Sequence, residues 1–139
     1  MAARSRCALT LRNGVPSEAG GAVDATSGSL VADDCVFERN RGGPATTGGA
    51  VAGADLVLRD SVFRGNRAGS GGAVSVSTGG ALTVERCTFE DNRADLGGAI
   101  KQLDPGPAVV VVASTFERNE AARSGGALQG WSLDVRDST

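Results

Sequence analysis

The 139-residue sequence contains no histidine and no tyrosine, and its aromatic residues are four phenylalanines and one tryptophan. Without histidine, the commonest carrier of acid–base and metal chemistry near neutral pH is missing. Any catalytic reading is left to carboxylates, lysine and arginine. An excess of one charge is missing too. Fourteen basic residues stand against sixteen acidic ones, for a net charge of -2. That balance gives no electrostatic reason to expect nucleic acid or an anionic membrane as partner. The longest apolar run, Pro107 to Ala113, is far short of a bilayer span, so no membrane insertion is expected. Cys7-Ala8-Leu9-Thr10-Leu11 is too brief and too polar for a signal-peptide core, so the chain as given carries no mark for export. Nothing in it has the amphipathic period of a helix.

Cysteine is sparse, at three residues. Cys35 and Cys87 share one place in a repeat whose other copies carry Ser61 and Ser114 there, which marks a small, buried, mildly polar site. Two layers of stacked strand would separate Cys35 from Cys87 by roughly 9.6 Å, too far for a disulfide. Three free thiols are expected.

What the chain has instead is repetition. Leu30 to Asn40 returns as Leu56 to Asn66, as Leu82 to Asn92 and as Val109 to Asn119. The phenylalanines at 37, 63, 89 and 116 give spacings of 26, 26 and 27 residues. A Gly-Gly-Ala-apolar phrase is interleaved at Gly20–Val23, Gly48–Val51, Gly71–Val74, Gly97–Ile100 and Gly125–Leu128. A period of this length marks stacked units that bury their apolar faces only against their neighbours. Glycine, at 21 residues, has no every-third pattern, so collagen is excluded.

Within Leu82-Thr83-Val84-Glu85 apolar and polar residues alternate, which is the strand period. Arg86 breaks the phase, and Cys87, Phe89 and Asn92 point inward again. The Gly-Gly-Ala-Val phrase supplies a third short strand. No single coil can pair with itself, so each strand pairs with its equivalent one turn on, about 4.8 Å away. The expected fold is all-β: a right-handed parallel β-helix of about five coils of roughly 26 residues, three short strands per coil. It forms one domain, 1–139, with incomplete coils at 7–13 and 131–139.

Side-chain ladders should fill the interior. One runs Leu9, Leu30, Leu56, Leu82, Val109, Leu133, and a second Leu11, Ala32, Leu58, Val84, Val111, Val135. A third is Phe37, Phe63, Phe89, Phe116. Two corners vary in length. From Asn13, Asn40, Asn66, Asn92 and Asn119 to the next glycine pair is 7, 8, 5, 5 and 6 residues. The third corner, at Asp34, Asp60, Arg86 and Ala113, never varies. One glycine of each pair should take a positive φ at a tight corner and the other should let backbone pass close to the adjacent coil; Gly21, Gly49, Gly72, Gly98 and Gly126 are the candidate turn glycines. Asn40, Asn66, Asn92 and Asn119 should stack, with their amides bonded to turn backbone or to one another.

The phrase Leu82-Thr83-Val84-Glu85-Arg86-Cys87-Thr88-Phe89-Glu90-Asp91-Asn92 with Gly97-Gly98-Ala99-Ile100 resembles the parallel β-helix repeats of chlamydial polymorphic outer-membrane proteins, which share a pectin-lyase-like shape. The resemblance covers Leu9 to Ser138. It implies a cell-surface or extracellular, adhesin-like or scaffold role. This chain departs from the family phrase by placing Cys, Asp or Arg where Asn-Ser is usual. The same shape also hosts polysaccharide lyases and glycoside hydrolases, so fold alone does not assign function.

A glycosidase needs two carboxyls about 5–9.5 Å apart across a groove. The outward columns Arg12, Asp33, Arg59, Glu85, Val112, Arg136 and Glu38, Arg64, Glu90, Glu117 mostly alternate in sign instead, as ion ladders do. Two clusters depart from this: Glu90 with Glu117, and Asp33, Asp34 and Asp60, which form the best candidate cation cluster. No catalytic residue, cofactor or metal is assigned. Arg41, Arg67 and Arg93, ended by Glu120, form a column of like charge. Its bland explanation is diagonal pairing with Glu38, Glu90 and Asp91, and its sharper one is contact with an acidic partner or glycan. Both ends break off within a copy of the repeat. Leu9, Leu11, Trp131, Leu133 and Val135 are therefore candidate end contacts, to another copy, to a partner or to further repeats. The reading is a non-catalytic scaffold or protein-binding module, with a carbohydrate-binding or polysaccharide-cleaving solenoid as alternative.

Overall fold

The computed structural model describes residues 2–15 and 19–139, the side chains of 2–8 excepted. It is a parallel β-solenoid of about five turns. The strands are β1 (Ala2–Arg12), β2 (Val23–Glu38), β3 (Val51–Arg59), β4 (Val62–Arg64), β5 (Val74–Val76), β6 (Leu82–Glu85) and β7 (Thr88–Glu90). They continue as β8 (Arg93–Leu96), β9 (Ile100–Gln102), β10 (Val109–Val112), β11 (Thr115–Glu117), β12 (Glu120–Ser124), β13 (Leu128–Gln129) and β14 (Leu133–Arg136). Every pairing among the described residues is parallel and joins one turn to the next.

Three faces result. The Leu-x-Val phrase forms the first, in the register Leu30↔Leu56↔Leu82↔Val109↔Leu133. The phenylalanine strands form the second, with Phe37↔Phe63↔Phe89↔Phe116. The Gly-Gly-Ala-apolar strands form the third, with Val23↔Val51↔Val74↔Ile100↔Leu128. Alternation sends Leu56, Leu58, Leu82, Val84, Val109 and Val111 into a core from which solvent is excluded. The four phenyl rings stack at centroid spacings of 4.7, 4.7 and 4.8 Å, within 5° of parallel, and so measure the rise per turn directly. Offset-stacked rings add about 0.5–1.5 kcal/mol per pair beyond the area they bury. A fourth pairing, unforeseen from sequence, joins β8 to β12 and continues as single bridges Arg41↔Arg67↔Arg93.

Each turn closes through three residues in the left-handed region. The first corner uses Asp34, Asp60, Arg86, Ala113 and Asp137, at φ between 47° and 57°. The second uses Asn13, Arg39, Gly65, Asp91 and Arg118. The third uses the first glycine of each pair, Gly20, Gly48, Gly71, Gly97 and Gly125. Only the third column is glycine throughout. There a Cβ would also strike a carbonyl, as at Gly48, where it would lie 2.1 Å from the Val51 oxygen. The second glycine of each pair has an ordinary φ, and in every pair but the last it faces the next turn. A Cβ on Gly49 would fall 1.9 Å from the Gly72 oxygen. The two glycines thus divide the expected jobs between them.

The column of Cys35, Ser61, Cys87 and Ser114 is buried. Ser61 Oγ accepts the Cys35 amide at 3.0 Å, and Ser114 Oγ accepts that of Cys87 at 3.1 Å. Each hydroxyl donates to the carbonyl two residues back, Ser61 to Arg59 and Ser114 to Val112. The Cys87 thiol does the same toward Glu85, and burial pushes its pKa up to about 11. Cys35, however, is disulfide-bonded, so three free thiols is not what the structure contains. The expectation weighs only the two cysteines that share a column, and the bond is not between them.

The first turn also departs from expectation. β1 pairs along its length from Ala2, with Ala3 beside Leu30, Leu9 beside Cys35 and Leu11 beside Phe37. Leu9 and Leu11 therefore do not extend the Leu30 and Ala32 ladders. Arg12 stands beside Glu38 rather than Asp33. Asn13 takes the left-handed corner position, and Gly14 occupies the asparagine column. A register bulge between Arg6 and Leu9 separates the two readings.

Candidate functional site

The arginine column is built on the asparagine ladder beneath it. Asn40, Asn66 and Asn92 are wholly buried. Each Nδ2 donates to the Oδ1 of the next asparagine, at 3.0, 2.9 and 2.9 Å, the last reaching Asn119. Each also donates to a carbonyl of the preceding turn, those of Leu11, Phe37 and Phe63. Each Oδ1 accepts, besides, a main-chain amide of the preceding turn. The ladder fixes the residue that follows it. The amides of Arg67, Arg93 and Glu120 bond the carbonyls of Asn40, Asn66 and Asn92 at 3.0, 2.9 and 2.9 Å. Three exposed guanidinium stems therefore leave the surface one turn apart.

Beside them lies a trough of about 310 Å³, lined by all three arginines. Successive corners of unequal length supply its lining. The long corner 40–48 folds Gly43 to Thr46 into a turn, closed by Thr46 N–H to the Gly43 carbonyl at 3.1 Å. It contributes Gly42, Gly43 and Pro44. The two five-residue corners that follow supply Ala68, Gly69, Ala94 and Asp95. The corner 119–125 is longer again, its pairing slips between Ala121 and Ser124, and it supplies Ala122. The spacings 8, 5, 5 and 6 are legible in the sequence as numbers, but the trough they line together is not. Asp95, the carboxylate in that lining, escapes sequence reasoning for the same reason.

Charge pairing sets the column apart. Many of the other outward arginines pair with carboxylates. Arg59 bonds Glu85 at 3.1 Å, and Arg64 lies 3.4 Å from Glu38, which Arg39 also bonds. Arg118 gathers Glu90, Asp91 and Glu117, so the cation between the stacked Glu90 and Glu117 is an arginine of the same chain. Arg86 Nε and Nη2 donate to both oxygens of Asp60, at 2.7 and 2.8 Å, with a weaker attraction from Asp33. Those bonds hold the Asp60 and Asp91 carboxyls below their usual range. The diagonal pairing expected for the arginine column does not form, because Glu38, Glu90 and Asp91 are taken by Arg39, Arg64 and Arg118. Arg93 alone has a partner, Glu120 at 3.4 Å. Among the described residues Arg41 and Arg67 have no ion pair.

Asp33, Asp34 and Asp60 do not assemble as a metal-holding group, and no set of three or more His, Cys, Asp or Glu does so among the described residues. No helix among them is long and apolar enough to cross a membrane. At the last described turn Trp131, Leu133 and Val135 are exposed, as is Leu9 at the first. Trp131 does not lie over the core; its amide bonds the buried Gln102 side chain at 2.9 Å. The geometry defines a parallel β-solenoid with a trough lined by three stacked arginines. The chain matches no protein-family model, no curated protein and no solved structure.

Proposed function

We propose that the protein is a non-catalytic scaffold module whose contact surface is the Arg41/Arg67/Arg93 trough and whose partner there is acidic. One observation carries this reading: Arg41 and Arg67 stack one turn apart without ion pairs, while the stacked arginines Arg59, Arg64, Arg86 and Arg118 are each paired with a carboxylate. Like charges so placed repel each other unless an anion compensates. Catalysis finds less support. The close carboxylates are held ionised by arginine, and the trough lining contains one carboxylate where a two-carboxyl mechanism needs a pair. The resemblance to chlamydial outer-membrane repeats agrees with a surface role.

Retention on immobilised sulfated dextran and on immobilised polyglutamate tests the reading. Arg67→Glu should elute well before wild type, while Lys101→Glu, the same two-unit change of charge at a half-buried lysine on the third face, should elute close to it. Equal shifts for the two would mean general charge is being measured and would remove the trough from its role.

A second contact surface is favoured by the exposure of Trp131 (67%), Leu133 (42%) and Val135 (46%) beside the open edge of β14. Apolar side chains on a strand whose outer edge is open among the described residues suit a further layer of strand, from another copy, a partner or further repeats. Sedimentation should show concentration-dependent association that Val135→Arg abolishes without loss of folding. A monomer at all concentrations would remove self-association.

A further inference from the structure

Resting on that reading of the trough, we infer that its ligand is compact: one phosphoryl dianion, a phosphomonoester or free phosphate, shared between the Arg41 and Arg67 guanidiniums. Charge count is the first ground. Arg41 and Arg67 are exposed, bridged one turn apart and without ion pairs among the described residues. The rise per turn is 4.7 Å where the phenyl rings record it. Two positive charges thus stand at neighbouring positions with nothing to offset them. One phosphoryl group brings about two negative charges at pH 7 and three acceptor oxygens, enough to meet a guanidinium fork on either side. Two separate carboxylates at that spacing would repel each other as the arginines do.

The extent of the positive surface is the second ground. It ends after two turns. Along β8, Ala94 is buried while Arg93 and Asp95 are both exposed, so that turn presents one charge of each sign. The Asp95 amide bonds the Gly69 carbonyl at 3.0 Å, so Asp95 stands next to the turn that carries Arg67. One turn further the column position is Glu120, 3.4 Å from Arg93. A polyanion laid along the column gains Arg41 and Arg67 and then meets two carboxylates. A single dianion stops short of them. A neutral donor is the third ground. Gly43 belongs to the lining that the two arginines share, and its main-chain N–H has no hydrogen-bond partner among the described residues. Main-chain amides and arginines together are recurrent phosphate donors.

Calorimetric titration of the intact chain tests this with four probes: inorganic phosphate, sulfate, a pentapeptide whose one charged side chain is phosphoserine, and hexaglutamate. At pH 7.5 the phosphopeptide should bind about threefold more tightly than hexaglutamate or better, although it carries fewer charges. Inorganic phosphate equal to the phosphopeptide assigns the site to the phosphoryl group alone, and a weaker phosphate gives the peptide a share. The second proton of phosphoserine leaves near pH 6, so phosphopeptide affinity should fall about tenfold from pH 7.5 to pH 5. Sulfate keeps both charges and should bind alike at the two. The charged groups around the site are Arg41, Arg67, Arg93, Asp95 and Glu120, and the chain has no histidine to titrate in that window. Arg67→Glu should weaken the phosphopeptide about tenfold or more, and Arg67→Lys, which keeps the charge but not the fork, about threefold. Asp95→Asn/Glu120→Gln should strengthen hexaglutamate more than the phosphopeptide. All these side chains are exposed, and melting curves verify that the variants remain folded. Hexaglutamate as tight as the phosphopeptide, or phosphopeptide affinity unchanged by pH, each with binding lost in Arg67→Glu, would overturn the dianion inference and leave the acidic-partner reading standing. Binding of every probe indifferent to Arg67→Glu, or no binding at all, would overturn both.

Discussion

Gly72→Ala, a change of one methyl group, should cost the solenoid about 4 kcal/mol or more, among the largest effects any single substitution has. The added Cβ would lie 2.1 Å from the Gly98 oxygen and 2.7 Å from the Arg93 nitrogen. Both are main-chain atoms of the next turn, so no rotamer change relieves the contact. The turns must separate, and separation strains the bonds that join them there: Gly71 N–H to Leu96 O at 2.9 Å, Gly72 to Gly97 at 3.1 Å and Ala73 to Ala99 at 2.9 Å. Strain at one layer passes to the ladders on either side, since each turn is held only by its neighbours. The control lies within the repeat. Gly126 occupies the same place in the last described copy, where the nearest atom to an added Cβ is 3.8 Å away. Gly126→Ala should therefore stay within about 1 kcal/mol of wild type. Urea unfolding of the two variants measures the difference, and a Gly72→Ala midpoint equal to that of Gly126→Ala would show that the glycine pair is not needed for close approach.

That contrast explains what the sequence made legible. A ladder writes itself at a fixed interval, so the placement of Phe63 over Phe37, and of Leu82 over Leu56, followed from counting. The invariant corner at Asp34, Asp60, Arg86 and Ala113 followed too, because a left-handed residue in a corner of constant length leaves no room for insertion. Less legible was anything that depends on a break in the interval. Leu9 and Leu11 look like another Leu-x-Leu phrase, yet a bulge before Leu9 moves both onto the Cys35 and Phe37 columns. Charge partners were partly legible. Alternation of sign predicted Arg59 with Glu85, but the reach of Arg118 to three carboxylates, and hence the orphaning of Arg41 and Arg67, depends on side-chain direction at a left-handed corner. The trough emerges only when four corner lengths are compared as a surface rather than as separate tolerated insertions. Asp95 carried no motif; only its place in the trough lining gives it meaning.

Asn66→Leu should be as damaging as the glycine change, by a different physical route. Leucine keeps the branch point and heavy-atom count of asparagine but is bulkier, so packing alone predicts a modest loss. Hydrogen-bond accounting predicts a large one. Asn66 Oδ1 accepts both the main-chain amide and the Nδ2 of Asn40, each at 3.0 Å. Its Nδ2 donates to the Phe37 carbonyl at 3.0 Å and to Asn92 Oδ1 at 2.9 Å. Leucine would orphan the Asn40 amide and one Asn40 side-chain hydrogen, both in the interior, and would remove a donor from the Phe37 carbonyl. At about 1–3 kcal/mol for each buried group left unpaired, the two orphans alone total about 2–6 kcal/mol. Asn66→Asp separates this account from simple shape. It preserves the acceptor and the outline but removes both donors, and sets a carboxylate against two oxygens in the interior. Burial and those oxygens raise the folded-state pKa of the introduced carboxyl above its unfolded value near 3.9. The folded form then holds its proton longer, so stability falls as pH rises from about 4 toward that raised value, and the penalty persists above it. Acidification toward pH 4 should narrow the gap between Asn66→Asp and wild type while leaving that between Asn66→Leu and wild type nearly unchanged. Thermal melts of the three proteins across that range decide it. A leucine variant as stable as wild type would mean that the asparagines merely occupy the corner, and that the arginine column above them owes its register to the phenylalanine stack instead.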